Sequence, residues 1–289
     1  MASGVRKLSN LILYSSLWIA LCAAAQVQLT YDLVFIDAGL DGYTLFVLSS
    51  TLVLYSVHRL VGMRRVQAFA HLGRFAVIRQ YRSHILFYGV CAAIAAVALA
   101  FQLPLRTWIF LCLPVAISAA YVLPVKPGGL RLRDIPLIKI FLIAASWSLI
   151  TTTVPLLHQH YTGNHLAMIF AERFLFVVAI TIPFDIRDYP VDQQSRLTTL
   201  PHVMGIRASK LLALILLGLS FVSVLILCRT GAYDVRYLLP AGAVYMLTAA
   251  LIAGARPEMD DHYYSGLLDG VLFLLPFLLW VWTDLLGDQ

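Results

Sequence analysis

The chain has 289 residues, of which 61% are hydrophobic and only 12% charged. An average soluble domain is about half apolar and about a quarter charged, so a soluble fold would expose more apolar surface than these charges can cover, whereas a lipid bilayer is a suitable solvent for it. The net charge is +6, from 21 Lys and Arg against 15 Asp and Glu, and the placement of the bases accounts for it without a nucleic-acid partner.

Crossing the hydrocarbon core takes about 20 mainly apolar residues. Nine stretches qualify: roughly 9–28, 43–61, 84–103, 106–124, 135–157, 165–184, 208–228, 235–254 and 264–286. They fill most of the chain, which predicts a single polytopic membrane domain over 1–289. The first follows Arg6 and Lys7 and contains Ala23, Ala24 and Ala25, a pattern that also fits a cleaved leader. The second ends in Tyr55, His58 and Arg59. It opens into a long loop, roughly 59–83, whose Arg64, Arg65, Arg74, Arg79 and Arg82 predict an amphipathic helix on anionic lipid. Lys139 stands one turn into the fifth stretch, and Glu172 and Arg173 stand side by side within the sixth. Adjacent helical residues point in different directions, so each is expected to find its own partner. His158, His160 and His165 cluster in a short connection that holds no acid or cysteine, which reads as a loop rather than a metal site. Asp269, early in the ninth stretch, reads as a polar packing group. The four cysteines form no CxxC pair or metal spacing.

With the N-terminus inside, sixteen Lys and Arg fall in inner segments against three, Arg106, Arg229 and Arg236, in outer ones. This bias obeys the positive-inside rule and predicts a cytoplasmic N-terminus. The membrane is taken to be a bacterial plasma (inner) membrane.

Chemistry concentrates in the second long inner loop, roughly 185–207. In Pro183-Phe184-Asp185-Ile186-Arg187-Asp188-Tyr189-Pro190-Val191-Asp192, three carboxylates stand at i, i+3 and i+7, one face of a helix. Clustered carboxylates repel one another unless a cation sits among them. Mg²⁺ is commonly held by one or two carboxylates, with waters and substrate phosphate completing its shell. Pro183 and Pro190 each remove a ladder hydrogen bond, which predicts a kinked helix end. The bland alternative is a solvated acidic loop, with Asp188 paired to Arg187 or Arg196.

The run Arg187-Asp188-Tyr189-Pro190-Val191-Asp192, followed by Thr199-Leu200-Pro201 and Gly205, resembles the second aspartate-rich motif of the UbiA-type membrane prenyltransferases. Tyr121-Val122-Leu123-Pro124 and Leu137-Ile138-Lys139 resemble the junction between that family's fourth and fifth helices. The resemblance implies a nine-helix bundle that transfers an isoprenyl group from its diphosphate to an aromatic or other lipophilic acceptor. It makes Asp185, Asp188 and Asp192 ligands of Mg²⁺, with Asp188, Asp192 and Lys139 carrying the chemistry and Tyr121 and Arg187 in the substrate site.

The family's first aspartate-rich motif is missing. Tyr55, His58 and Gly62 stand where its three carboxylates belong, and none replaces a carboxylate on magnesium with comparable ease. Tyr55, His58 and Arg59 are instead candidates for contacting the substrate, Arg59 through a planar fork of donors that matches phosphate oxygens. The alternative is a non-catalytic UbiA-like protein that binds lipid or assists assembly. A transporter would be expected to break its helices at the membrane midplane, whereas the proline breaks here lie at the inner surface.

Overall fold

A computed structural model of the chain describes Leu13 and residues 16–65, 81–122, 135–194 and 198–285. Every regular element among these residues is helical. In chain order they are α1 (Leu17–Leu33), α2 (Gly42–Arg65), α3 (Arg82–Ala100), α4 (Leu105–Val122), α5 (Ile138–His158), α6 (Leu166–Gln194), α7 (Leu200–Arg229), α8 (Val235–Gly254) and α9 (His262–Thr283). The basic loop expected to lie on lipid, through Arg74 and Arg79, falls outside the described residues, as do Arg6, Lys7, Lys126, Arg131, Arg133 and Arg196.

Each expected span has its helix, but the expectation of nine crossings needs correction. Six of these helices, α3 and α5 to α9, are long and apolar enough to cross a membrane by length and composition. At 17 residues α1 is short for the task, and α4 is apolar only over Leu105–Tyr121. In α2 the Ser49, Ser50, Thr51, Ser56, His58 and Arg59 side chains dilute the apolar run.

The core forms around α6. Its Phe176, Val177, Val178, Ala179, Ile180 and Ile182 pack with Ala213, Leu217 and Val224 of α7 and with Leu268, Val271, Leu272 and Leu275 of α9. By contrast α3 buries only Ile85 and Ala92. The outward face of the bundle is apolar: Ile94, Phe101, Leu105, Ile109 and Met246 are all exposed. Contiguous exposure of this kind marks a lipid-facing surface.

Proline gaps in two helices are closed by α1. Pro155 has no N–H for the carbonyl four residues back, that of Thr151, and this carbonyl accepts from Thr30 Oγ1 at 2.7 Å instead. The preceding turn, Leu149–Thr153, widens to π geometry, and the Ile150 carbonyl accepts from Tyr43 Oη at 2.8 Å. Likewise Pro276 leaves the Leu272 carbonyl, which accepts from Gln26 Nε2 at 2.5 Å. Gln26 and Thr30 are four residues apart and so share one face of α1.

Gln26 also anchors a buried polar network. Its Oε1 accepts from Arg173 Nη1. The neighbouring Glu172 accepts from Tyr245 Oη at 2.9 Å and Tyr233 Oη at 3.2 Å, with Ser220 Oγ at 3.4 Å. The two α6 side chains therefore have separate partners, and they also lie 3.7 Å apart as an ion pair.

At the end of the bundle that carries the start of α2, Asp41 takes the four donors that place that helix. Oδ1 accepts from the Thr44 amide at 2.8 Å and Thr44 Oγ1 at 2.7 Å, while Oδ2 accepts from Tyr31 Oη at 3.0 Å and Gln159 Nε2 at 2.8 Å. His158 does have an acid nearby, since its Nε2 lies 3.8 Å from Asp41 Oδ2. Among the described residues no group of three or more His, Cys, Asp or Glu side chains is placed to hold a metal ion.

Candidate functional site

The acidic segment is the last part of α6. Leu166–Gln194 runs as one helix through both Pro183 and Pro190. At about 100° per residue, Asp185, Asp188 and Asp192 fall within about 60° of one another on that helix. Tyr189 lies about 40° beyond Asp185 on one side, and Arg187 about 100° beyond Asp188 on the other.

Lys139, at the start of α5, places Nζ 2.8 Å from Asp185 Oδ1, and Asp185 is 2% exposed. Lys139 is also within electrostatic reach of Asp188 and Tyr121. Arg187 grips Asp188 with Nε at 3.0 Å and Nη2 at 3.3 Å, and its Nη1 reaches Asp261 Oδ1, between α8 and α9, at 2.7 Å. The guanidinium lies 5.0 Å from the Phe184 ring and 5.7 Å from the Tyr264 ring. Two carboxylates and two aromatic faces thus compensate the burial of this cation.

α2 enters from the other side. Arg59 Nη2 donates to the Leu13 carbonyl at 2.8 Å. The His58 ring lies 6.4 Å from that of Tyr121 at the end of α4. Tyr55 interacts with Trp147 and is within electrostatic reach of Asp269, Tyr121 and Arg59. Asp269 in turn is within reach of Arg187, Asp261 and Arg59. Five elements therefore converge: α2, α4, α5, α6 and α9. The side chains expected in the site, Tyr55, His58, Arg59, Tyr121, Lys139, Asp185, Arg187 and Asp188, form a connected set, and Asp192 is buried on the same α6 stripe.

Sequence reasoning missed Asp261 altogether and read Asp269 as packing. Both join the site because α9 folds back against α6 near Arg187. It also missed His202, which stacks on Tyr189 with ring centroids 4.3 Å apart. The signal was present in the Thr199-Leu200-Pro201-His202 run, but nothing in the sequence placed that run beside Tyr189.

Aspartate oxygens are the hard donors a divalent cation takes, although among the described residues no three of them are grouped to hold one. Five carboxylates, Asp185, Asp188, Asp192, Asp261 and Asp269, stand against three permanent cations, Arg59, Lys139 and Arg187. With no third protein ligand converging, such an ion would be held through one or two carboxylates, leaving phosphate and water to complete its shell.

No protein-family model matches the sequence, and no curated protein matches it. Solved structures do. A UbiA homologue from Archaeoglobus fulgidus bound to GPP and Mg²⁺ superposes with a TM-score of 0.57 at 12% identity, over 93% of this chain and 98% of that one. A digeranylgeranylglyceryl phosphate synthase gives 0.56 at 13% identity, over 94% of this chain and 98% of that one. The Archaeoglobus fulgidus homologue bound to DMAPP and Mg²⁺ gives 0.56 at 13% identity, again over 93% and 98%. Over nearly its whole length, the chain has the fold of the UbiA-type prenyltransferases.

Proposed function

We propose that this protein binds an isoprenyl diphosphate and transfers its isoprenyl group to a lipophilic acceptor. The observation that carries the reading is the joining of Lys139, Asp185, Arg187 and Asp188 at one end of α6, in a UbiA-type fold. That fold is shared with a homologue bound to GPP and Mg²⁺. The excess of Lys and Arg on the segments flanking this end supports a position at the cytoplasmic face.

In this reading Lys139, Arg187 and Arg59 donate to the phosphate oxygens. Lys139 acts as a compact charge and the arginines as planar forks. Their positive charge counts most where negative charge builds on the departing diphosphate. Mg²⁺, held by Asp188 and Asp192 with Asp185 beside them, supplies further neutralisation of that charge when bound. Asp185 fixes the Lys139 ammonium, and Asp188 and Asp261 fix the Arg187 guanidinium, so neither cation must reorganise as charge develops. Phe184, Tyr264, Tyr55 and Trp147 offer ring faces that favour an allylic cation. The exposed apolar belt lets the isoprenyl tail and its acceptor enter laterally from lipid.

The test is binding of geranyl thiolodiphosphate to the purified full-length protein, with and without Mg²⁺, for the wild type and Asp188→Asn. Mg²⁺-dependent binding that the substitution weakens by at least tenfold supports the reading. Wild-type protein that binds no analogue in either condition favours a non-catalytic UbiA-fold protein instead. That alternative draws on one observation: Gly42–Arg65 contains no Asp or Glu.

A further inference from the structure

His202 is held in place by two contacts. Its Nδ1 lies 2.8 Å from Thr199 Oγ1, and its ring is stacked on Tyr189 with an interplanar angle of 15°. The other ring nitrogen, Nε2, is buried and has no hydrogen-bond partner. An unmet buried polar atom is costly, so the position suits a partner that the described residues do not supply.

Tyr189 lies between Asp188 and Asp192 in sequence. On the α6 surface it stands next to the Asp185–Asp192 side of the carboxylate stripe, opposite the side that Arg187 occupies. A ring stacked on Tyr189 therefore flanks the acidic face across from the Arg187–Asp261 pair. The local backbone supports the placement. Thr199 is extended, and Gly205 adopts φ 81° and ψ 160°, which interrupts α7 three residues after His202. An L side chain at Gly205 would be strained.

We propose that His202 is a further substrate-binding residue: its Nδ1 accepts from Thr199 Oγ1 and its Nε2–H donates to a diphosphate oxygen. The proposal rests on the isoprenyl diphosphate reading above.

The experiment measures affinity for geranyl thiolodiphosphate at fixed Mg²⁺ for the full-length wild type, His202→Leu and His202→Gln. His202→Leu, which removes the donor, is expected to weaken binding about tenfold, whereas His202→Gln, whose amide can still donate, is expected to lose less. Thr199→Val and Tyr189→Leu, which remove the two contacts that hold the ring, are expected to weaken binding in the same direction, and they decide the matter if His202→Leu fails to fold. Wild-type affinity in the folded variants overturns the role of His202 and leaves the diphosphate reading standing. Absence of binding by the wild type overturns both.

Discussion

Lys139 Nζ and Asp185 Oδ1 meet at 2.8 Å across the α5–α6 contact, with the carboxylate almost wholly inaccessible. Removing one member of such a buried pair strands the other in a medium that cannot solvate it. Lys139→Met is therefore expected to lower stability by about 3 kcal/mol, read as thermal unfolding in detergent. The double variant Lys139→Met/Asp185→Leu should recover most of that loss while remaining unable to bind the diphosphate analogue. A double variant no more stable than the single one would show that the pair is not the source of the effect.

Arg187 should not tolerate lysine. A single ammonium cannot reach Asp188 and Asp261 together while lying on the Phe184 and Tyr264 rings. Arg187→Lys is expected to weaken analogue binding by about tenfold or more. Asp261→Asn, which leaves the Asp188 contact intact, should weaken it less. Calorimetric titration of both variants distinguishes the two effects, and equal losses would contradict this division of roles.

Thr30→Val removes the donor to the Thr151 carbonyl at nearly constant volume and is expected to cost about 1–2 kcal/mol of stability. The cost should shrink in a Pro155→Ala background, where the alanine restores an N–H for the same carbonyl. A double-mutant cycle on melting midpoints tests the coupling. Strict additivity would mean that Thr30 does not compensate for Pro155.

The Glu172–Arg173 network predicts a different asymmetry. Glu172→Gln keeps an acceptor for Tyr233 and Tyr245 yet takes the counter-charge from Arg173, which is 2% exposed. It is expected to cost about 3 kcal/mol and to leave the affinity of the folded protein for the diphosphate analogue unchanged, because the network is separate from the Asp188 cluster. A large change in affinity without loss of stability would tie the network to the site.

The carboxylate spacing was legible because all three aspartates lie on one helix, where periodicity alone sets the face they share. Lys139 was legible because a charge inside an apolar run needs a partner. Asp261 and Asp269 were not, since their arrival depends on where α9 packs, and no local pattern encodes that. The way the proline gaps of α5 and α9 are closed was not legible for a related reason. A ladder gap breaks a helix in water, but a packed bundle can supply the missing partner from far away. The donors at the Pro155 and Pro276 gaps come from 121 and 246 residues upstream. The number of crossings was overestimated because α1, α2 and α4 are apolar enough to be recognised, yet only six of the described helices are long and apolar enough to cross a membrane.

The two donors on α1 bear on how the protein is made. An unbonded carbonyl in hydrocarbon is costly, so α5 and α9 would enter lipid incomplete if they had no companion. The helix that completes them emerges earlier, since α1 precedes both in the chain. Biogenesis can thus proceed around α1, with α5 docking onto it before α9. The arrival of α9 is then checked against α1, and a protein that fails to bring the two together would display an unsatisfied backbone to membrane quality control.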